Sequence, residues 1–468
     1  MHYIYNSHEK DLFNTEDIIR ILEFNKKDVE IPKFENIEQI KADFEEFIEK
    51  NGLEDEIIFD VRKQKFVKEE TDSNSDYIRI DSKFFEEFFK TKTSEIRNDI
   101  ISKYILSENL NFLIGNGCSN YAGSKAINQE AKENNLTEIL KNNNINDKKL
   151  NKILISMSNE RPEKVLDKLI QIRNYYNLVD NEILNKINEI INNYKKQFLE
   201  HYVLNINYSK NHFHKMFLKR IISRESHLNK VNIFTLNYDL LIEKSAEELG
   251  IIVNNGFFGF TVRKFDPSYY NIDYHIKGFN KIKPFNKSIN LYKLHGSINW
   301  KEDPSAVPYG IVEQQPTFKD GKLEIEDYEN KIIYPVQTKI KQSLDLPYSE
   351  IFRAFVNQLN SKNSTLIIIG YSFYDDHVND IIANSLSNPD FNLVVFSYEN
   401  ENSKNLSPFL KNLYALSKED KRITIFSGPI LGRFEYIVKY LIPYYNNENL
   451  EECLYNTIIK LKEGKNNV

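Results

Sequence analysis

Continuous apolar runs that end in polar residues recur along the chain and predict buried strands. The segments that contain them are NFLIGNGCS (111–119), VNIFTLNYD (231–239), NLYKLHGSINW (290–300), STLIIIGYSFYDDHVNDIIANSL (364–386), FNLVVFSYENE (391–401) and RITIFSGP (422–429). Helical patterns follow the second and fourth runs, and Gly250 ends the first of these helices. Short apolar strands that alternate with helices are typical of a parallel sheet covered on both faces. We therefore predict an α/β fold with a doubly wound, Rossmann-like parallel sheet.

Polar and amphipathic patterns predict what surrounds this sheet. Residues 37–50 have apolar positions at helical spacing, 56–67 resemble a hairpin, 69–76 resemble a linker, 84–106 are helical, and 125–228 are polar with helical periodicity. Three segments follow from these patterns. They are an N-terminal α+β extension and possible interaction region (1–95), a Rossmann domain with a helical insertion at about 125–228 (96–445), and a C-terminal helix or tail (446–468).

Composition and charge narrow the class of protein. Hydrophobic residues make up 41% of the chain and charged residues 28%, which is typical of a globular protein. The net charge is only -6 over 468 residues and is not basic, so we do not expect sequence-specific binding to nucleic acid. The two cysteines, Cys118 and Cys453, cannot form a four-cysteine zinc site. The sequence has neither a signal peptide nor a membrane-spanning pattern, so we expect a cytoplasmic protein without a membrane partner.

Four predicted strand ends carry candidate chemistry, because ligands of open α/β sheets bind beyond the carboxyl ends of the strands. The first is the turn of Gly115 and Gly117, where glycines permit a close approach of the backbone to a phosphate. The same turn could be purely structural. The third glycine and the later acidic residue of the dehydrogenase fingerprint are missing, which argues against an ordinary Rossmann dehydrogenase.

The other three strand ends carry polar side chains. Asn237 and Asp239 flank an aromatic residue and could simply cap the next helix. His295 ends an apolar run before a glycine, which suits a proton acceptor at neutral pH, although a lone histidine is often structural. The fourth end contains Ser372 and Asp375; the latter could be a helix cap. The neighbouring cluster Asp375, Asp376 and His377 is not expected to bind a metal ion, because adjacent helical positions point in different directions.

Taken in order, these motifs resemble the sirtuin-like superfamily, and in particular its bacterial branch of NAD-cleaving defence proteins. The residues that match the family motifs are Gly115, Gly117 and Ser119; Thr235, Asn237 and Asp239; His295 and Gly296; and Gly370 and Ser372. The extended form GYSFYDDH is similar to the defence branch. The resemblance covers roughly residues 100–430 and implies NAD+ as the substrate.

Two departures from the protein-deacetylating sirtuins are informative. The chain lacks their zinc-binding cysteine pairs, and NYAGSKAINQE (120–130) stands where they carry a Pro-Asp-Phe-Arg stretch. The resemblance therefore implies an NAD+ glycohydrolase that needs no metal and releases nicotinamide and ADP-ribose. It implies depletion of NAD in antiphage abortive infection. An NAD-dependent protein deacylase and a non-catalytic, nucleotide-binding scaffold remain as alternatives.

The resemblance also implies roles for individual residues. Asn237 and His295 are the expected catalytic pair, with Asn237 positioning water and His295 taking a proton. The expected NAD-binding residues are Gly115, Gly117, Cys118, Ser119, Thr235, Asp239, Gly370, Ser372 and Asp375. The pyrophosphate is expected at the glycine turn and the following helix N-terminus. Defence proteins of this family are held inactive by oligomeric packing or by a partner protein. The resemblance therefore implies that the chain forms a homo-oligomer and that a HerA-type ATPase is its partner.

Overall fold

A computed structural model of the chain describes residues 2–5, 8–27, 29, 34, 36–51, 57–70, 76–125, 136, 139–140, 147–159, 162–225, 227–277, 282–284, 287–324, 330–332, 346–404 and 406–445. The predicted C-terminal helix or tail at 446–468 lies outside these residues. The chain forms two compact units. Unit 1 comprises Met1–Ser107, Met216–Leu228 and Val394–Val468, and unit 2 comprises Glu108–Lys215 and Asn229–Leu393.

The described strands are short, and many are buried. In chain order they are β1 (His2–Tyr5), β2 (His8–Asp11), β3 (Ile57–Asp60), β4 (Lys65–Val67), β5 (Tyr77–Ile80), β6 (Asn109–Ile114), β7 (Val231–Thr235), β8 (Ile252–Asn254), β9 (Phe257–Phe258), β10 (Arg263–Phe265), β11 (His275–Lys277), β12 (Ile282–Pro284), β13 (Ser288–Lys293), β14 (Gly296–Glu302), β15 (Ile311–Glu313), β16 (Thr317–Lys319), β17 (Lys322–Glu324), β18 (Asn330–Ile332), β19 (Ser364–Ile369), β20 (Asn392–Ser397) and β21 (Ile423–Ser427).

The described helices separate these strands. The α-helices are α1 (Thr15–Asn25), α2 (Ile37–Asn51), α3 (Ser82–Glu95), α4 (Ser102–Ile105), α5 (Lys148–Ser156), α6 (Pro162–Tyr176), α7 (Asn181–Leu199), α8 (His212–Ile222), α9 (Leu241–Glu248), α10 (Tyr348–Leu359), α11 (Asp376–Ser385), α12 (Pro408–Ser417) and α13 (Phe434–Tyr436). Short 3₁₀ segments are Asn116–Ala122, Met157–Asn159 and Pro267–Asn271, and π segments are Ile96–Ile101, Glu200–Leu204 and Ile437–Leu441. No helix in the described ranges is long and apolar enough to cross a membrane.

Unit 2 is built on five parallel strands in the order β19-β6-β7-β13-β8. Phe112 on β6 is in register with Ile233 on β7 and Ile367 on β19, and all three are buried. The chain leaves β6 towards β7 and later returns to β19 on the opposite side of β6. The carboxyl ends of β6 and β19 therefore flank a topological switch point, where open α/β sheets bind ligands. The predicted parallel α/β fold is confirmed.

Helices α5, α6 and α7 lie in the region predicted as a helical insertion. Their amphipathic faces bury apolar side chains such as Leu154, Leu169 and Ile190. The same core cluster includes Tyr238 and Leu240, which lie between β7 and α9. The insertion therefore packs against the turn that carries two of the candidate site residues.

The segment 290–300 is not one strand as predicted. β13 ends at Lys293, and β14 begins at Gly296 in a second sheet of order β18-β14-β15-β10-β9. Gly296 has a φ of 85°, a left-handed conformation that favours glycine and lets the chain turn out of the parallel sheet. His295 consequently lies in a turn between two sheets.

Unit 1 contains the predicted hairpin, formed by the antiparallel strands β3 and β4, and β5 extends it to three strands. Phenylalanines fill the adjacent core, and the rings of Phe13 and Phe44 meet edge to face with centroids 5.6 Å apart. The helix predicted over 84–106 is present as α3, a π segment and α4. In the same unit, β1 pairs antiparallel with β2 and with β21.

Candidate active site

Two glycine turns meet at the switch point of unit 2. The Gly115 N–H donates to the carbonyl of Ile369 at 2.9 Å, and the Gly117 N–H donates to that of Gly370 at 3.0 Å. A Cβ on Gly115 would lie 2.3 Å from the Gly370 oxygen, and one on Gly370 would lie 2.6 Å from the Cys118 nitrogen. Gly370 also has a φ of 69°. Glycine is required at both turns because the two backbones touch.

The first turn leads into a short helix, as expected, and this helix is the 3₁₀ segment Asn116–Ala122. The Cys118 thiol is buried and donates to the carbonyl of Ile369 at 3.3 Å, so it faces β19. Ser119 is also fully buried, and its hydroxyl donates to the Asp239 carboxylate at 2.8 Å. This segment therefore joins the first turn to the residues that follow β7.

Asn237 lies directly against the first glycine turn. Its Nδ2 donates to the Gly115 carbonyl at 3.1 Å and to Ser119 Oγ at 3.2 Å. Thr235 Oγ1 accepts the Asn237 N–H at 3.1 Å and donates to the Ile114 carbonyl at 3.0 Å. Asn237 Oδ1 is buried without a hydrogen-bond partner among the described residues. The amide is thus fixed by its nitrogen, and its oxygen lacks the partner that a buried acceptor ordinarily has.

Asp239 uses both carboxylate oxygens within the chain. Oδ2 accepts from Ser119, and Oδ1 accepts the Leu241 N–H at 3.0 Å, at the beginning of α9. Asp239 therefore binds the first residue of α9 from the position before the N-cap residue Leu240, and it also orients Ser119.

His295 is paired with a carboxylate from another element. His295 Nε2 lies 3.0 Å from Asp375 Oδ2, and the side chain of each residue is 8% exposed. Asp375 precedes α11, but its side chain makes no capping hydrogen bond to that helix. The ring of Tyr238 lies 6.4 Å from that of His295, centroid to centroid, which places the imidazole beside the turn after β7. Asp375 was predicted as an NAD-binding residue, and its contact with His295 was not anticipated.

The loop between β19 and α11 is braced around Asp375. The Tyr371 hydroxyl lies within hydrogen-bonding distance of two acceptors, the Asp375 carbonyl at 3.1 Å and Asn379 Oδ1 at 3.0 Å. Asn379 Nδ2 donates to the carbonyl of Phe373, whose φ of 58° is unusual for a bulky residue. Ser372, the remaining predicted residue of this loop, is exposed. A left-handed phenylalanine persists only where its surroundings hold it, so the geometry of this loop is tightly determined.

Three largely buried ionisable side chains lie near Asp239, namely His214, Glu243 and Lys293. Burial lowers the pKa of His214 to about 4, and Tyr121 Oη lies 2.7 Å from its Nδ1. Burial raises the pKa of Glu243, which the nearby Lys293 ammonium partly opposes. Lys293 is itself buried, at the end of β13. Lys293 was not among the predicted site residues, although a lysine inside the apolar run NLYKLHG was a visible signal.

The structure thus joins most of the predicted residues through direct hydrogen bonds. Gly115, Ser119, Thr235, Asn237 and Asp239 form one network, and the Cys118 N–H joins it by donating to the Gly115 carbonyl at 3.1 Å. The contacts between the glycine turns add Gly117 and Gly370, and His295 and Asp375 form the neighbouring pair. Within the described ranges, no group of three or more His, Cys, Asp or Glu side chains could hold a metal ion.

Comparison with known proteins finds a family match over the later strand ends. Residues 231–417 match the SIR2-like domain family, and this segment contains the Asn237, His295 and Gly370 motifs. The predicted resemblance to sirtuin-like proteins is confirmed over this segment. No curated protein matches the chain by sequence.

Solved structures similar to the chain include Sir2 homologues. A mutant Sir2 homologue in complex with ADP-ribose is 13% identical, covers 76% of this chain and 98% of its own, and has a TM-score of 0.36. A Sir2 homologue in complex with NAD is also 13% identical, with coverages of 74% and 92% and a TM-score of 0.34.

Proposed function

We propose that this protein is an NAD+ glycohydrolase that cleaves NAD+ with water into nicotinamide and ADP-ribose. The observation that carries this proposal is the buried His295, held by Asp375 beside the turn of Asn237. A histidine oriented by a carboxylate is suited to accept a proton, because the carboxylate stabilises the imidazolium that forms. The match of residues 231–417 to the SIR2-like domain family supports NAD+ as the substrate.

The two glycine turns are suited to the pyrophosphate of NAD+. Gly115, Gly117 and Gly370 bring the backbones of the two turns into direct contact at the switch point. Backbone at this edge of a parallel sheet is where nucleotide phosphates bind in open α/β proteins.

Asn237 is suited to orient the attacking water or a ribose hydroxyl. Its Nδ2 is held by two acceptors, so the unpartnered Oδ1 has a fixed direction. A buried carbonyl oxygen without a donor is costly, and a hydroxyl group or water would satisfy it.

The proposed reaction needs one proton acceptor. The bond between nicotinamide and ribose C1 breaks, and its electron pair leaves with nicotinamide, which becomes neutral. Water adds to C1, and its proton passes to His295 and then to solvent. Proton transfer of this kind contributes about 10²- to 10⁴-fold to a rate.

An assay with and without an acetyl-lysine peptide tests the proposal against deacylation. We expect the purified chain, once active, to release nicotinamide from NAD+ at the same rate in both cases, with ADP-ribose as the product. Release that strictly requires the peptide and yields acetylated ADP-ribose would instead establish a deacylase. NAD+ binding without turnover under all conditions would favour a scaffold.

Uncontrolled NAD+ hydrolysis would harm the cell, so we propose that the activity is gated in antiphage defence. A homo-oligomer and a HerA-type ATPase are the proposed partners, with residues 1–95 as the docking region. Co-purification of the full chain with such an ATPase, followed by light scattering, tests this. An oligomer that binds the ATPase supports the proposal, and two components that elute separately as monomers contradict it.

A further inference from the structure

The turn between β7 and α9, which carries Asn237, is called the catalytic turn below. Among the described residues, Lys293 is the one buried lysine that contacts the backbone of this turn. It is the last residue of β13, lies in register with Thr235 on β7, and is 2% exposed. Its aliphatic stem fits an apolar strand, whereas its ammonium group must find partners inside the protein. Those partners determine what the residue does.

The Lys293 ammonium donates to two carbonyls of the turn between β7 and α9. Nζ lies 3.4 Å from the Asn237 oxygen and makes a closer contact with the Asp239 oxygen. The carbonyl of Tyr238 accepts the Ile298 N–H at 3.0 Å. Three successive carbonyls of this turn are therefore bound by residues on either side of His295 in sequence.

Glu243 completes the arrangement. Its Oε1 lies 3.0 Å from Lys293 Nζ, and its Oε2 is buried without a partner among the described residues. The carboxylate comes from the first turn of α9, which follows the catalytic turn directly. Lys293 thus joins the end of β13, the catalytic turn and α9.

From these contacts we infer that Lys293 is a positioning residue, which fixes Asn237 relative to His295; this rests on the proposed NAD+ cleavage. In this proposal Lys293 acts by holding the backbone of the turn and does not contact the substrate. Misplacement of a catalytic group by about 1 Å can cost about 10²-fold in rate. Among the described residues, the Lys293 ammonium contacts the turn after β7 and Glu243, and it makes no direct hydrogen bond to the glycine turns assigned to the pyrophosphate.

The inference predicts a division between turnover and binding. In Lys293→Met, we expect kcat for NAD+ to fall roughly 10- to 100-fold while KM changes less than about threefold. The matched control is Lys230→Met. Lys230 Nζ donates to the Ile272 carbonyl at 2.7 Å and pairs with Asp273 at 3.0 Å, and its side chain is 11% exposed. That variant loses the same kinds of contact elsewhere in unit 2 and should keep kcat within about twofold of the wild type.

The double variant Lys293→Met/Glu243→Gln separates positioning from stability. Lys293→Met leaves Glu243 as a buried, uncompensated carboxylate, which lowers the free energy of unfolding. Replacing that carboxylate by an amide should restore much of the melting temperature without restoring kcat. It also provides a folded protein if the single variant does not fold.

The outcomes distinguish this inference from the proposed function. A wild-type kcat in Lys293→Met, or recovery of kcat together with stability in the double variant, would overturn the positioning role alone. An equal loss of kcat in the Lys230→Met control would overturn it too. Absence of NAD+ cleavage in the activated wild-type protein would overturn the proposed function and this inference with it.

Discussion

The pairing of His295 with Asp375 gives the candidate site its clearest chemical character. A lone histidine after an apolar run suggests proton transfer, but its partner is a carboxylate distant in sequence. Asp375 stood in the sequence as an equally plausible helix cap. Only the structure reveals that its side chain contacts His295 and makes no capping hydrogen bond.

Replacing Asp375 with Asn tests that pairing. The amide keeps the shape of the side chain but no longer stabilises a protonated imidazole. We expect NAD+ cleavage to fall roughly 10- to 100-fold with little change in stability, because the Asp375 side chain makes no capping bond. The matched control is Asp376→Asn on the adjacent, exposed position. Equal rates for the wild type and Asp375→Asn would remove Asp375 from the mechanism.

His214 makes stability depend on pH. Its pKa is about 4 in the folded protein and 6.5 in the reference state, so the unfolded chain binds the additional proton between these values. Stability should therefore fall as the pH falls from about 6.5 towards 4, with about 2 kcal/mol lost between pH 7 and pH 5.

Denaturant unfolding at several pH values measures this contribution. His214→Asn, which does not titrate, should flatten the dependence, whereas His212→Asn on an exposed position should leave it unchanged. A variant at His214 with the same pH dependence as the wild type would contradict the assignment.

At the level of elements, apolar continuity predicted the parallel strands well. A strand buried on both faces has few polar positions, so runs such as those of β6, β7 and β19 are visible in the sequence. The same criterion fails over 290–300, where an apolar run continues from one sheet into another. The φ of Gly296 and the hydrogen-bonding partners of β14 decide that division, and neither is a local sequence property.

The contact between the two glycine turns is an element-level feature that can be tested. Gly115 has an ordinary φ of -103°, so what forbids a side chain there is the nearby backbone: the Gly370 oxygen lies 2.3 Å and the Tyr371 Cα 2.8 Å from the point that a Cβ would occupy. Gly115→Ala should push the ends of β6 and β19 apart. We expect a loss of about 1–3 kcal/mol in unfolding free energy and a raised KM for NAD+.

Gly310→Ala is the control for that variant. Gly310 has a φ of 67°, and nothing lies within 4 Å of its Cβ position, so alanine there adds backbone strain without a contact. It should cost about 1–2 kcal/mol and leave KM unchanged. An unchanged KM and stability in Gly115→Ala would contradict the proposed role of the turn.

For the whole molecule, the site residues come from separate segments of unit 2 that its parallel sheet brings to one edge. Motif order along the chain was sufficient to predict that edge and most of its polar residues. The roles of Lys293, Tyr371 and Asn379 could not be predicted in the same way, because each depends on backbone groups of another segment or on a loop conformation.

The rate of nicotinamide release from NAD+ by the full-length protein is the measurement that tests most directly whether His295 takes part in NAD+ cleavage. The wild type and His295→Ala should be compared, as activated preparations without any peptide, by chromatography of nicotinamide and ADP-ribose. We predict equimolar products from the wild type and a rate lower by about 10²- to 10⁴-fold in His295→Ala, measured with both proteins folded at the assay temperature. Equal rates for the two proteins would contradict the proposed mechanism.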